Sequence, residues 1–189
     1  MMELVSEAIA FAVKAHDGMR RKKSNAPYIL HPMEAAVIVG TMTDDQNPIA
    51  AAALHDVVED AGITIEEIEA RFGTRVRELV SSETEDKRAD RPPEETWRIR
   101  KEESLRVLKE AEDLAVLMVW LGDKLANMRS IYRDFKVEGH AMWQRFNQKD
   151  EKAQAWYYRS IADLTERLSH TSAWLEYKTL TEMVFGKGE

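Results

Sequence analysis

The stretch IAAAALHDVVED, residues 49–60, decides the fold class of this chain. Its first six residues are apolar and mostly alanine, and a helix that is apolar on most sides belongs in the middle of a helical bundle. The stretch then turns polar and carries four ionisable groups, which are His55, Asp56, Glu59 and Asp60. Because charged groups are rarely buried without partners, we expect this central helix to deliver them to a functional site.

The rest of the chain has the spacing of helices. Apolar residues recur at every third or fourth position, the alternation of strands is nearly absent, and the 189 residues include only 8 Gly and 5 Pro. We therefore expect an all-α, single-domain helical bundle of about 8–10 helices over residues 1–189. The expected helices are Leu4 to about Asp17, Pro32 to about Met42, Ile49 to Val58, Thr64 to Phe72, Thr74 to about Ser82, about Glu94 to Ala111, and Leu114 through Asn127.

Composition excludes several classes of function. With 27 basic and 34 acidic side chains the net charge is −7, which would repel nucleic acid. The chain has no cysteine, so any metal must bind to His, Asp or Glu. The amino terminus is acidic, and no window approaches the roughly 18 apolar residues of a membrane span. We expect a soluble cytoplasmic protein with no nucleic-acid or membrane partner.

The polar end of the central helix suggests metal chemistry. On a continuous helix, His55 and Glu59 lie one turn apart on one face, and Asp56 and Asp60 do so on the adjacent face. An adjacent imidazole and carboxylate can bind a divalent cation, and the two acids one turn further on are placed to orient or deprotonate a water. The alternative is a polar helix end, with His55 a core histidine bonded to a carbonyl oxygen.

Two distant residues extend this set. His31 stands at a predicted helix start, and Asp123 interrupts a long apolar run, where an unpaired carboxylate would cost several kcal/mol. The alternatives are an exposed helix cap for His31 and an ion pair with Lys124 or Arg129 for Asp123. Together, two His and two Asp without sulfur suit Mn²⁺, Fe²⁺, Co²⁺ or Zn²⁺ better than Ca²⁺.

Further segments fall in a familiar order over roughly residues 5–132. They are His16-Asp17-Gly18, Arg21-Lys22, Pro27-Tyr28-Ile29, His31-Pro32, Leu54 to Asp60, Phe72-Gly73, Thr84 to Lys87, and Asp123 to Arg129. A first histidine, an adjacent His-Asp pair and a distant aspartate resemble the HD-domain metallophosphohydrolases. The full set of segments resembles the hydrolase domain of the RelA/SpoT homologues. Gly122 stands where that family usually has alanine, a change that we expect to be minor.

The resemblance implies a stand-alone small alarmone hydrolase, with a family-like core over about 5–132 and a helical extension over 133–189. Its reaction would remove the 3′-pyrophosphate of (p)ppGpp with water. The usual metal is Mn²⁺, with another divalent transition metal as the alternative. Carried over position by position, the metal ligands would be His31, His55, Asp56 and Asp123. The residues that orient and activate the water would be Glu59 and Asp60. The residues that contact the nucleotide would be Arg21, Lys22, Asn127 and Ser130.

A basic loop, Arg20 to Lys23, fits this interpretation, because four consecutive cations make a local patch for a highly charged nucleotide in an acidic protein. A solvated charge run is the alternative, and the loop length leaves open whether Arg20 or Arg21 contacts the base. Two other functions also stay open: an HD phosphohydrolase acting on another nucleotide or on NADPH, and a catalytically silent alarmone-binding module. The sequence leaves the metal, the preferred alarmone and a homodimer undecided.

Overall fold

The computed structural model describes residues 3–21, 25–88 and 90–187. Within these ranges it contains ten α-helices, two short 3-10 helices and no strand, which confirms the all-α prediction. The α-helices are α1 (Leu4–Ala15), α2 (Leu30–Gly40), α3 (Gln46–Leu54), α4 (Val57–Asp60), α5 (Ile65–Phe72), α6 (Thr74–Glu83), α7 (Pro93–Glu110), α8 (Leu114–Glu138), α9 (Glu151–Leu164) and α10 (Ser172–Phe185). The 3-10 helices are Gly139–Arg145 and Glu166–Leu168.

Helix α3 is the buried centre, as its composition predicts. Asp45 caps its start by accepting a hydrogen bond from the backbone N–H of Asn47, and residues 50–54 are fully buried. The expected continuous helix to Val58 is wrong, because α3 ends at Leu54 and a turn precedes α4. The break is small, since the two residues between the helices, His55 and Asp56, both keep a right-handed helical backbone.

Helices α2 and α8 pack closely because Gly122 has no side chain. A Cβ at this position would lie 2.6 Å from Cγ2 of Val39 and 3.0 Å from the carbonyl oxygen of Ala35. The expectation that Gly122 is a minor change is therefore wrong for this chain: the close approach depends on it. The contact brings Asp123, the next residue of α8, towards the start of α2.

Two groups of buried apolar residues form the core. One is centred on α3 and its neighbours α1, α2 and α6, and the other joins α8 to α7, α9 and α10. Two buried polar atoms of the second group have backbone partners: the Trp174 indole N–H donates to the carbonyl oxygen of Ala162 at 3.0 Å, and the Tyr177 hydroxyl donates to the carbonyl oxygen of Tyr158 at 2.9 Å. No helix among the described residues is long and apolar enough to cross a membrane.

Candidate metal centre and adjoining pocket

The structure brings together the four residues predicted to bind metal. His31 begins α2, His55 and Asp56 form the turn between α3 and α4, and Asp123 lies on α8. Nε2 of His31 is 2.8 Å from Oδ1 of Asp123 and 3.5 Å from Oδ2 of Asp56. Nε2 of His55 is 3.2 Å from Oδ2 of Asp56 and 3.5 Å from Oδ1 of Asp123. Ligand atoms of His31, His55 and Asp123 all lie within 4.8 Å of one another, and Asp56 flanks this group of three.

The imidazole of His55 is oriented as a metal ligand would be. Its Nδ1 lies 2.7 Å from the carbonyl oxygen of Ala52, which can only accept, so the proton of the neutral ring is on Nδ1. Nε2 is buried, has no hydrogen-bond partner among the described residues, and faces two carboxylates. A lone pair opposite carboxylate oxygens needs a proton or a cation between them, so this donor set fits a divalent ion. The alternative interpretation, a core histidine bonded to a carbonyl oxygen, accounts for Nδ1 but not for the orientation of Nε2.

The electrostatics of the cluster favour a bound cation. Burial alone would lower the pKa of His55, but Asp56 and Asp123 outweigh it and hold that pKa well above its usual range. Burial alone would raise the pKa of Asp56, but His55 and His31 hold it below its usual value. The carboxylates therefore stay charged in a buried site, which is what attracts a cation.

Asp123 also has the ion pair that was the alternative to a metal. Lys124 bonds its Oδ2 and lies 3.0 Å from Oε1 of Glu83. Oδ1 remains directed at the two histidines, so the ion pair and the metal site share one carboxylate. Arg129, the other candidate partner, instead bonds Glu34 and Glu176. His31 is buried, so its interpretation as an exposed cap is wrong.

Tyr28 connects the predicted metal ligand Asp56 to Asp60, one of the two acids predicted to act on the water. Its hydroxyl lies 2.8 Å from Oδ2 of Asp56 and 2.6 Å from Oδ2 of Asp60, so these acids lie one turn apart as predicted. Burial and both carboxylates raise the pKa of Tyr28, which keeps its proton between them. Behind it, the His16 ring packs on the Tyr28 ring at 5.0 Å, and burial lowers the pKa of His16.

The second acid, Glu59, is held by the segment that follows α6. Its Oε1 accepts a hydrogen bond of 2.6 Å from the backbone N–H of Glu85, and Nζ of Lys87 lies 3.4 Å from its Oε2. Lys87 also bonds Asp60. Burial raises the pKa of Glu59 more than the bond from Glu85 lowers it. A largely buried carboxylate with a raised pKa and a fixed orientation is a better proton acceptor than an ordinary glutamate.

This segment is itself anchored on α7. The carboxylate of Glu85 accepts from Nζ of Lys101 at 2.9 Å and from Oγ of Ser104 at 3.0 Å, and it also bonds Arg100. Despite its charge, Glu85 is largely buried. Glu83 is buried as well, and burial raises its pKa to about 8 despite Lys124.

A pocket of about 380 Å³ adjoins the metal centre. One part of its lining is basic and polar and includes Arg20, Arg21, Lys87, Asn127 and Ser130. Nη2 of Arg21 donates to Oδ1 of Asn127 at 3.1 Å, and Nδ2 of Asn127 donates to Oδ1 of Asp123 at 2.7 Å. Three predicted substrate-binding residues therefore line this pocket, and Lys22 lies outside the described residues.

The rest of the lining lies outside the set of predicted site residues. It consists of Ile131 and Asp134 of α8 together with Met19, Phe146 and Tyr158. A signal for part of it existed, because Asn127, Ser130 and Asp134 recur at helical spacing after Asp123. Tyr28 and Lys87 lie in two of the segments that carry the family resemblance, but neither residue was predicted to have a role in the site.

A model of the HD domain matches residues 8–151, about three quarters of the chain. The chain belongs to the HD domain family. The matched range contains every predicted site residue of this HD domain and the pocket residues Asp134 and Phe146. One similar protein is the guanosine-3′,5′-bis(diphosphate) 3′-pyrophosphohydrolase of Aquifex aeolicus (strain VF5), 35% identical over 130 residues. The alignment covers 69% of this chain but only 18% of that relative.

Solved structures share the fold of this HD domain. The crystal structure of lmo0812 from Listeria monocytogenes EGD-e superposes with a TM-score of 0.72 and 28% identity, covering 83% of this chain and 99% of the other. A structure described as a metazoan ortholog of SpoT that hydrolyzes ppGpp gives a TM-score of 0.77 at 23% identity, covering 99% of this chain and 98% of that one. The likeness in fold to this second structure therefore extends through α9 and α10.

Proposed function

We propose that the protein hydrolyses the 3′-pyrophosphate of guanosine alarmones, ppGpp and pppGpp, to give pyrophosphate with GDP or GTP. The observation that carries this proposal is the buried cluster of two histidines and two aspartates, flanked by two acids and linked through Asn127 and Tyr28 to a pocket with a basic lining. The name of the Aquifex relative and the description of the metazoan structure support the same substrate.

His31, His55, Asp56 and Asp123 would hold the divalent ion in this proposal. Their nitrogen and oxygen donors suit Mn²⁺, which is the metal that we propose, with another divalent transition metal as the alternative. Such an ion would make a water more acidic and neutralise charge on the phosphoryl oxygens.

Glu59 and Asp60 act on the attacking water. Glu59 accepts its proton, since burial raises the pKa of this carboxylate and the N–H of Glu85 fixes its direction. Asp60, held by Tyr28 and Lys87, orients the water. The water oxygen forms a bond to the phosphorus on the 3′ oxygen, the bond between that phosphorus and the 3′ oxygen breaks, and the 3′ oxygen takes up a proton. One water is consumed, and one nucleotide hydroxyl is formed.

The basic lining binds the phosphates. Arg21 is positioned by Asn127, and Lys87 lies between the acids and the pocket. Ser130 contributes a hydroxyl to the same wall. Lys22 completes the substrate-binding set by resemblance. A cytoplasmic location and the absence of nucleic-acid partners stay predictions from the sequence.

The test is to incubate purified protein with ppGpp and Mn²⁺ and to follow the products by ³¹P NMR. We expect pyrophosphate and a 5′-diphosphate. Glu59→Gln should lower kcat about 10²- to 10⁴-fold, the usual worth of a general base, with substrate affinity largely retained. Glu66→Gln, a change at an exposed acid on α5, is the matched control and should leave kcat unchanged.

No pyrophosphate with any of several divalent metals would contradict the proposal. A panel that includes NADPH separates the alternatives, because phosphate release from NADPH alone would assign another HD phosphohydrolase. Binding of ppGpp without turnover, unchanged by Glu59→Gln, would assign a silent binding module.

A further inference from the structure

One residue of the pocket has the wrong charge for a polyanion. Asp134 lines the same cavity as Arg20, Arg21 and Lys87, and its side chain is 31% exposed. A partly buried carboxylate beside a phosphorylated ligand is unfavourable unless hydrogen-bond donors of that ligand face it. Asp134 therefore indicates where the ligand presents donors rather than phosphates.

Helix α8 sets the distance between Asp134 and the metal centre. Asp123, Asn127 and Asp134 lie on one side of the helix, and eleven residues at 1.5 Å each place their backbones about 16 Å apart. The side chain of Asp134 leans back towards the start of the helix and shortens this span. This span is within the reach of a nucleotide whose 3′-phosphate lies at the metal centre.

Aromatic and apolar groups share the pocket with this carboxylate. Ile131, Phe146 and Tyr158 line the same pocket. Aromatic faces of this kind stack nucleic-acid bases with little preference for one base over another. Stacking alone would hold any purine here, so the choice between purines depends on a polar group.

The carboxylate of Asp134 is held in one direction. Its Oδ2 accepts from Nη2 of Arg145 at 3.1 Å, and Arg145 also lies 3.0 Å from Oε1 of Glu138. Within the described ranges no other side chain pairs with Asp134. Arg145 therefore orients the group through Oδ2, while Oδ1 remains available to a ligand.

We propose that Asp134 reads the base and selects guanine over adenine. A carboxylate only accepts hydrogen bonds, and guanine presents two adjacent donors, N1–H and the N2 amine. Adenine has an acceptor at N1, which would oppose the carboxylate lone pairs. This inference rests on the proposed function and adds the base specificity of its substrate.

The test compares kcat/KM for ppGpp and for its adenosine counterpart in wild type and Asp134→Asn. An amide pairs with only one guanine donor and opposes the other, whereas it can accept from the N6 amine and donate to N1 of adenine. We expect kcat/KM to fall about 10- to 100-fold for the guanosine substrate, the range of one bidentate base contact. For the adenosine substrate, kcat/KM should stay the same or rise.

Glu138→Gln is the matched control, since it removes the other carboxylate on Arg145 without changing a residue that lines the pocket, and it should leave the ratio of the two substrates unchanged. Asp134→Ala is the second variant and should lower the guanosine preference in the same direction. An equal effect of Asp134→Asn on both substrates, or no effect, overturns the inference while the proposed function stands. Wild type that hydrolyses neither substrate overturns the proposed function and this inference with it.

Discussion

At the scale of single residues, the site depends on acids whose pKa values are moved in opposite directions. His55 and His31 hold the pKa of Asp56 down despite burial, whereas burial raises the pKa of Glu59. Asp56 is then held as an anion that can bind a cation, and Glu59 holds a proton more readily than an ordinary glutamate. Such a divergence between neighbouring carboxylates is the usual basis for dividing roles between them.

The charge of Lys87 influences the pKa of Glu59, which gives a prediction about how activity depends on pH. Its charge lowers the pKa of Glu59, so Lys87→Met should raise that pKa further. The proposed base must be deprotonated to act, so the acidic limb of the profile of kcat against pH should move to higher pH. The measurement is the pH profile of ppGpp hydrolysis in both proteins. A limb that stays in place while kcat falls would show that Lys87 affects only phosphate binding.

At the scale of helices, the approach of α2 to α8 brings His31 and Asp123 together. Gly122 permits this approach, since a Cβ there would lie 2.6 Å from Val39. Gly122→Ala should lower the free energy of unfolding by about 1–3 kcal/mol, the usual cost of overpacking, although alanine favours helix. Urea denaturation measures this change.

Two further variants make this prediction specific. Gly40→Ala is the matched control at the end of α2, because the nearest atom to its Cβ would be 3.9 Å away. It should not lower stability. Combining Gly122→Ala with Val39→Ala should cost less than the sum of the single changes, since the second change removes the clashing methyl. Additive losses would contradict the role assigned to this contact.

At the scale of the whole molecule, much of the fold was predictable because local signals specify it. The helix predicted from Thr64 to Phe72 is found as α5, where Thr64 and Glu67 form a capping box at its start and Gly73 follows its end with φ of 88°. The break after Leu54 and the burial of Glu83 and Glu85 were not predictable, since they depend on contacts with distant helices. The division into a core over 5–132 and an extension over 133–189 stays a prediction, and α8 runs unbroken across that boundary.

The candidate site was likewise predictable in part. His55 and Asp56 stood out because polar groups follow a buried alanine helix, but their meeting with His31 and Asp123 was expected mainly from the resemblance. Asp134 was missed, since an acid on a helix is ordinarily a solvated residue and only the folded pocket distinguishes it. The roles of all these residues stay predictions until they are tested.

The metal centre joins helices from both parts of the core, so binding of an ion should stabilise the whole fold. At an ion concentration about 100 times the Kd, the gain in unfolding free energy is about 2.7 kcal/mol. Each kcal/mol raises Tm by about 2–4 °C in a chain of this size.

The most direct test of the central claim is the number of Mn²⁺ ions bound per chain, measured by calorimetric titration and checked by the Mn²⁺-dependent rise in Tm. We expect one buried ion per chain and a rise in Tm in wild type and in Asp163→Asn, a control at an exposed acid on α9. Asp123→Asn should lose both. Wild type that binds no divalent ion, or Asp123→Asn that binds it equally well, would contradict the account.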